Sequence, residues 1–267
     1  MGTDIEKISF TKERATALLT LLARARQSRS ESPVLDDPWA EHAVTLIDCE
    51  FDRSAGSSWR ERLIAARAKQ FDTWTRDFIA KHPQATVLHL GCGLDSRVYR
   101  VDPPASVQWF DIDYPDMIEL RRRLYRERYG YQTIGTPLGD PAWLDRVPKG
   151  NVALIIAEGV TPYLTREVLS SCFNALVDRF SSGAFIFDVH SRRLIWWLAT
   201  TRSDVRGTGA RLHWGMNRLA DVQQLEPRLV AVSCVRSSAL ARAIGLPWNK
   251  RVLLRLLGAM TCLRYRF

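Results

Sequence analysis

Apolar residues recur at helical spacing along the first third of the chain. Residues 11–27 and 59–80 each place their apolar side chains on one face of a helix. Between these two stretches, Asp37-Pro38 has the composition of a helix start, because aspartate caps the first turn and proline fits its first position. The pattern predicts a helical cap over residues 1–80.

Short continuous apolar runs replace this pattern farther along the chain. Strands that are apolar at every position are typical of a parallel sheet covered on both faces. Helical stretches lie between the runs, and the alternation predicts an α/β fold with a doubly wound sheet in residues 81–267. We expect a single domain in which an insertion at about 191–216 forms a lid. The predicted strands are 87–90, 107–112, 152–157, 184–189, 229–235 and 263–267.

The first predicted strand runs into a Gly-x-Gly turn formed by Gly91 and Gly93. Glycines at this place let the backbone turn sharply and approach a ligand closely. Dinucleotide-binding folds carry a third glycine where Ser96 stands here. The shorter motif suits an adenosine ligand without phosphates, and it argues against an NAD-dependent oxidoreductase.

An acidic residue, Asp113, follows the second predicted strand, twenty residues after Gly93. A carboxylate at this place accepts hydrogen bonds from ribose hydroxyls. We prefer Asp113 to Asp111, which we expect to point to the opposite face of the strand. The alternative is that Asp113 only ends the strand and caps the helix that starts near Pro115.

Several motifs, in order along the chain, resemble the leucine carboxyl methyltransferase-like family, and specifically its bacterial small-molecule branch of polyketide-type O-methyltransferases. The motifs cover nearly the whole chain. They are Ala23-Arg24-Ala25 with Asp36-Asp37-Pro38, Ala66-Arg67, the run from Gly91 to Arg97, Asp111 to Pro115, Ala157 to Leu164, and Leu263 to Phe267.

The resemblance implies a Rossmann-like class I methyltransferase with a seven-stranded, mostly parallel sheet that binds S-adenosylmethionine. By position, Gly91 and Gly93 would line the cofactor loop and Asp113 would hold the ribose. Arg67, with Arg24 as a second cation, would face the methionine carboxylate of the cofactor, since guanidinium offers a bidentate fork. Glu158 would lie beside the cofactor's amino group or the mouth of the acceptor site.

One position departs from the family pattern at the adenine. Many members carry an acidic residue before a leucine there, whereas this chain has Pro137-Leu138 with Asp140 two residues later. Adenine recognition would then rest on the backbone of Leu138, helped by Asp140. Asp95 and Arg97 are interpreted as residues that fix the glycine turn by hydrogen bonds.

The composition of the chain limits the kinds of partner that we expect. With 38 Lys and Arg against 29 Asp and Glu, the net charge is +9, but the arginines are scattered, which favours an ordinary charged surface over a nucleic-acid partner. Five cysteines without CxxC spacing predict neither a disulfide framework nor a metal site. No signal peptide or membrane span is visible, so we expect a cytoplasmic protein without a membrane partner.

The acceptor determines whether a general base is needed. A carboxylate acceptor is ionised at neutral pH, whereas a phenol is mostly protonated and benefits from a base. The candidate bases are His190, after the fourth strand, and His213, in the predicted lid. The tryptophans of that lid either cover a flat acceptor or pack in the core.

The sequence favours an S-adenosylmethionine-dependent O-methyltransferase that acts on a small molecule. Two alternatives stay open, a protein C-terminal carboxyl methyltransferase and a protein that binds the cofactor without catalysis. A nucleic-acid methyltransferase is disfavoured because the N/D-P-P-Y/F signature is absent, and Ala157-Glu158-Gly159-Val160 stands in its place.

Overall fold

The computed structural model describes residues 6–7, 13–48, 58–150, 152–201 and 211–267. Within them the helices are α1 (Glu13–Ser28), α2 (Pro38–Thr45), α3 (Trp59–Lys81), α4 (Arg97–Val101), α5 (Pro115–Leu124), α6 (Arg166–Arg179), α7 (Arg192–Thr201), α8 (Ala220–Gln223), α9 (Ser237–Ala243) and α10 (Trp248–Leu256). The strands are β1 (Glu6–Lys7), β2 (Ile47–Asp48), β3 (Thr86–Leu90), β4 (Gln108–Asp113), β5 (Tyr131–Gly135), β6 (Val152–Ala157), β7 (Ser182–Val189), β8 (Val230–Arg236) and β9 (Thr261–Arg266).

Seven strands form one sheet in the order β5-β4-β3-β6-β7-β9-β8. The first five strands are mutually parallel, and β9 runs antiparallel to both of its neighbours. The seven-stranded, mostly parallel sheet is therefore confirmed. The strand order reverses between β3 and β6, and the crevice outside the carboxyl ends at such a switch point is where open α/β sheets bind ligands.

Local sequence explains the predicted elements. Asp37 caps α2 by accepting a hydrogen bond from the Ala40 backbone N–H at 2.9 Å, and Pro38 occupies the first turn. In the centre of the sheet, β6 is buried at five of its six positions, in keeping with its continuous apolar run. Helices pack on both sheet faces, so the core consists of two main apolar layers.

The elements that the sequence did not predict lack a strong apolar pattern. Strand β5 lies at the edge of the sheet with one buried residue, Ile134, so it has no continuous apolar run. Helices α9 and α10 are short, and α10 buries only Leu254. No helix in the described parts of the chain is long and apolar enough to span a bilayer.

Candidate cofactor and active site

A cleft opens at the carboxyl ends of β3, β4 and β6, where the strand order reverses. Helix α1 closes it from above, and α3 contributes one side chain from the side. Its walls are Thr16, Ala17, Thr20, Arg24, Arg67, His89, Gly91, Cys92, Gly93, Leu94, Asp95, Asp113, Tyr114, Met117, Thr136, Leu138, Glu158, Gly159, Val160, Tyr163 and Leu164. All seven residues predicted for cofactor binding are among them.

Both glycines of the turn after β3 are required by geometry. Gly91 and Gly93 have φ angles of +56° and +50°, a region that side-chain-bearing residues rarely adopt. A Cβ atom on Gly91 would lie 2.5 Å from Cγ2 of Val160, and one on Gly93 would lie 3.1 Å from Cβ of Ala17. The turn therefore packs closely against the loop after β6 and against α1.

The carboxylate of Asp113 braces the same turn. One oxygen accepts the backbone N–H of Gly93 at 2.7 Å, and the other accepts that of Tyr114 at 2.7 Å. Burial raises the pKa of Asp113 above its usual value, although these two backbone hydrogen bonds act in the opposite direction. Asp113 thus braces the glycine turn and lines the cleft. The alternative interpretation is wrong in one respect, because α5 has Tyr114 as its N-cap and no side-chain hydrogen bond caps it.

The expectation that Asp111 points away from Asp113 is wrong. Residues two apart on a strand share a face. Asp113 accepts the backbone N–H of Gly93, and the carbonyl of the same glycine accepts a hydrogen bond from Arg121 at 3.1 Å. Arg121 also pairs with Asp111 at 2.5 Å. Trp109 Nε1 and the Tyr131 hydroxyl donate to the same carboxylate at 2.8 Å each. Asp111 is thus occupied by protein donors and does not line the cleft.

Arg67 on α3 is held between two carboxylates at the carboxyl ends of β6 and β7. Its Nε donates to Glu158 at 2.9 Å, and its Nη1 donates to Asp188 at 2.9 Å. Asp188 also accepts the backbone N–H of Gly159 at 2.6 Å. The guanidinium lies directly under Gly159, where a Cβ atom would stand 3.6 Å from Nη1 and Nη2. A buried carboxylate needs an opposite charge, and Glu158 finds two, in the guanidiniums of Arg67 and Arg97.

The ion pairs continue behind the cleft as a buried ladder of alternating charges. We define the ladder as Asp37, Arg100, Asp72, Arg97, Glu158, Arg67 and Asp188, each of which contacts the next. It connects the start of α2, helices α3 and α4, and the carboxyl ends of β6 and β7. The side chains of all seven residues are at most 11% exposed, so their charges are stable there only because they are paired.

Asp95 joins the ladder from the glycine turn. Its carboxylate lies 2.7 Å from Arg100 and 3.1 Å from Arg97. Burial alone raises the pKa of Asp95, but the two guanidiniums outweigh burial and hold the pKa well below the usual value. Asp95 and Arg97 therefore fix the glycine turn through ion pairs, as interpreted from the sequence, and Arg97 does not face the cleft.

Arg24 reaches the cleft from α1. Its Nη2 donates to the carbonyl of Leu94 at 2.9 Å, and its Nε lies 3.4 Å from the Asp37 carboxylate. The Nε has no hydrogen-bond partner within the described ranges, although the residue is buried. Arg24 is thus a buried cation with unused donor capacity at the edge of the cleft.

The residues predicted to contact adenine are placed only in part as the sequence indicated. Leu138 lines the cleft and packs on the core, as expected. Asp140 does not line it, because its carboxylate caps the 3₁₀ turn Pro141–Arg146 by accepting the N–H of Ala142 at 3.0 Å. Thr136, which the sequence analysis missed, faces the cleft instead.

Neither histidine proposed as a base lines the cleft. His190 is half-buried, and its Nδ1 has no hydrogen-bond partner among the residues that the structure describes. Burial lowers its pKa, while nearby Asp188 acts in the opposite direction. The His213 side chain is exposed, and its backbone N–H donates to the carbonyl of Pro162 at 2.7 Å.

The segment predicted as a lid is described at residues 191–201 and 211–216, and its middle lies outside the described residues. Trp214 is 7% exposed and belongs to the core, whereas Trp196 and Trp197 are exposed. None of the three lines the cleft. Within the described residues, the cover over the cleft is α1 and not this segment.

The family model for leucine carboxyl methyltransferase matches residues 17–133. The tetracenomycin polyketide synthesis O-methyltransferase TcmP of Streptomyces glaucescens is 41% identical over 226 residues, which cover 84% of this chain and 83% of that protein. The chain belongs to the leucine carboxyl methyltransferase family. An S-adenosyl-L-methionine-dependent methyltransferase of Gibberella zeae, dpfgK, is 35% identical over 66% of this chain and 64% of its own length.

Solved structures agree on the fold. A DUF574 family protein of Streptomyces avermitilis matches 93% of this chain and 96% of its own, with a TM-score of 0.60 and 10% identity. A candidate methyltransferase of Thermobifida fusca matches 96% of this chain and 95% of its own, with a TM-score of 0.59 and 13% identity. The predicted class, an S-adenosylmethionine-dependent methyltransferase, and its cofactor are confirmed.

The ladder is the part of the site that sequence reasoning missed. Asp72, Arg100 and Asp188 were not singled out. Two of them nevertheless left a signal, since Asp188 interrupts an apolar strand and Asp72 stands beside the apolar residues of α3. A buried charge in such a place requires an opposite charge elsewhere, but the sequence does not say which one.

Replacing Arg97 by methionine is expected to destabilise the fold strongly. The change leaves Asp72, Asp95 and Glu158 short of a buried cation, and breaking such a pair costs about 3–5 kcal/mol. Urea unfolding followed by circular dichroism measures the loss. The matched control is Arg123→Met, since Arg123 pairs with Glu119 at the surface and such pairs contribute about 1 kcal/mol or less. Equal effects of the two variants would contradict the structural role of the ladder.

Proposed function

We propose that this chain transfers the methyl group of S-adenosylmethionine to an oxygen atom of a small-molecule acceptor of the polyketide or another secondary-metabolite class. The observation that carries the proposal is the 41% identity with TcmP over most of both chains. The apolar outer wall of the cleft supports it, because Val160, Tyr163 and Leu164 offer a surface suited to a flat, poorly charged acceptor.

The chemistry of the cleft fits the cofactor. At one end, Met117 and Leu138 provide apolar contacts of the kind that an adenine ring requires. In the middle, the Asp113 carboxylate is placed to accept hydrogen bonds from ribose hydroxyls. Because there is no room for side chains at Gly91 and Gly93, the backbone itself forms the floor of the cleft there. We assign these five residues to the adenosine half of the cofactor.

We assign Arg67 and Arg24 to the carboxylate of the methionyl half. Arg67 uses Nε and Nη1 for Glu158 and Asp188, so Nη2 is left for a ligand. Arg24 adds a second buried positive charge at the edge of the cleft, although its Nε faces the carboxylate of Asp37 and its Nη2 donates to the carbonyl of Leu94. Glu158 also lines the cleft, and its carboxylate would attract the amino group of the same ligand.

The bound cofactor supplies a methyl group that is already activated by a positive sulfur. The protein's task is then to align acceptor and methyl carbon and to exclude water, which is catalysis by positioning. Helix α1 above the cleft and the loop from Gly159 to Leu164 are the parts that can do this. No general base is required if the acceptor is a carboxylate.

We propose His190 as the base for a phenolic acceptor. Burial lowers its pKa, so the imidazole is neutral at neutral pH and able to take a proton. His190 stands two residues after Asp188, whose carboxylate binds the cleft residue Arg67. His213 is the second candidate, since its backbone is bonded to Pro162 beside cleft residue Tyr163.

We place the reaction in the cytoplasm. The four cysteines that the structure describes are free thiols, and three of them are buried. Free thiols fit a reducing compartment.

Replacing Asp113 by alanine is expected to lower the affinity for S-adenosylhomocysteine by about 100-fold, because charge-assisted hydrogen bonds to two hydroxyls are lost. Isothermal titration calorimetry measures the change. Glu119→Gln, on the exposed side of α5, should leave the affinity unchanged. Affinity of the unaltered protein should also fall as the pH drops through the pKa of Asp113, at a higher pH than for an ordinary aspartate. An unchanged affinity of the alanine variant would contradict the assignment of Asp113 to the ribose.

Replacing His190 by glutamine is expected to slow methylation of a phenol by about 10²–10⁴-fold, since a positioned base is lost. Methylation of a carboxylate should stay unaffected. For the phenol, the acid limb of kcat/KM against pH should lie below the ordinary histidine pKa of about 6.5 and vanish in the variant. His213→Gln serves as the comparison. If that variant alone abolished the acid limb, His213 and not His190 would be the base.

A further inference from the structure

The last part of the chain carries positive charge without any acidic side chain. Residues 227–267 contain eight Lys and Arg residues and no Asp or Glu. They form the far edge of the sheet, β8 and β9, and the two helices between these strands, α9 and α10. This edge of the molecule therefore attracts negatively charged partners.

Helix α10 turns an apolar face outward. Trp248, Val252 and Leu256 are spaced by four residues, so they share one side of the helix, and Leu253 stands next to them. Trp248 is 69% exposed and Leu256 is 65% exposed. Leu254 alone among the nine residues of α10 is buried and attaches the helix to the domain. We call the four outward residues the α10 face.

Cations flank this face on the same helix. Arg255 is exposed, and Arg251 is half-exposed on the side of the helix next to Trp248. Lys250 lies with its ammonium 5.3 Å from the ring centre of Trp59, which turns it toward the domain. An apolar stripe bordered by arginines is typical of helices that lie in the plane of a lipid surface.

A neighbouring helix shows the same combination. The backbone N–H of Ser191, just before α7, donates to the carbonyl of Gly258, just after α10, at 3.2 Å. Helix α7 exposes Trp196 at 68%, beside the exposed residues Arg192 and Arg193. The two helices are thus joined at one point, and each exposes tryptophan and arginine.

Charge and shape indicate whether a second copy of the chain, another protein or a lipid surface covers the α10 face. A second copy in a two-fold dimer would bring Arg251 and Arg255 close to the same arginines of the other copy, so like charges would oppose association. Side chains that are two-thirds exposed protrude and do not line a groove, so they fit a fluid layer better than a shaped protein pocket. Trp at an apolar–polar boundary, with arginine beside it, is favoured at lipid headgroups.

We propose that the α10 face docks this protein reversibly on an anionic lipid surface, with Trp248 and Leu256 inserted among the headgroups and Arg251 and Arg255 near the phosphates. This revises the expectation of no membrane partner, for surface contact alone. The inference does not depend on the acceptor or on the proposed base, because none of these residues lines the cleft.

Co-sedimentation of the full chain with vesicles tests the proposal. We expect binding to phosphatidylcholine vesicles that contain phosphatidylglycerol, weak binding to phosphatidylcholine alone, and a marked loss of binding as salt is raised. Trp248→Ser with Leu256→Ser should weaken binding tenfold or more. Arg251→Gln and Arg255→Gln should each weaken it about fivefold. Affinity for S-adenosylhomocysteine should be unchanged in all of them, which shows that they fold.

The matched control is Tyr129→Ser, an equally drastic change at an 84% exposed aromatic residue that lies between Arg128 and Gly130, outside the α10 face. It should bind vesicles like the unaltered protein. Two results would overturn the proposal: no binding to anionic vesicles at low salt, or a loss of binding with Tyr129→Ser as large as that with the double serine variant. The first result would leave an acidic protein as the complement of this face.

Discussion

The site depends on the pairing of one buried guanidinium, that of Arg67, with Glu158 and Asp188 at 2.9 Å each. Neither carboxylate is stable beneath the carboxyl ends of β6 and β7 without a cation, because an unpaired buried charge costs several kcal/mol. Asp188 in turn accepts the backbone N–H of Gly159, which lines the cleft after β6. A single arginine on α3 thereby joins the helical cap to the carboxyl ends of β6 and β7.

The ladder around this arginine also gives the cleft its charge. Together with Asp95 and Arg24, it contains five carboxylates and four guanidiniums, which leaves one negative charge in excess. Asp113 adds a further carboxyl group that lines the cleft. A buried cluster of this sign favours a cationic ligand. S-adenosylmethionine carries a positive sulfur, whereas the product after methyl transfer does not, so the same charge distribution favours the substrate form over the product form.

The sequence predicted the fold and several residues that line the cleft, because their signals are local. A Gly-x-Gly turn after an apolar strand and an aspartate after the next strand are read from adjacent residues, and the motif around Glu158 is equally compact. The ladder was not predictable in the same way, since Asp72 and Arg97 meet only after α3 packs on the sheet. The edge strand β5 was missed because half-exposed strands lack the apolar run that identifies buried ones. The opposite-face argument for Asp111 failed on strand geometry itself, as residues two apart share a face.

We infer that the ladder is a fixed frame into which the cofactor fits without rearrangement. A crystal structure of the protein grown with S-adenosylhomocysteine tests this most directly. We predict that the ribose lies on Asp113, that the ligand carboxylate lies against Arg24 and the free nitrogen of Arg67, and that Arg67 keeps both of its 2.9 Å contacts, with Glu158 and Asp188. A ligand that displaces Arg67 from either carboxylate, or that binds outside this cleft, would contradict the account.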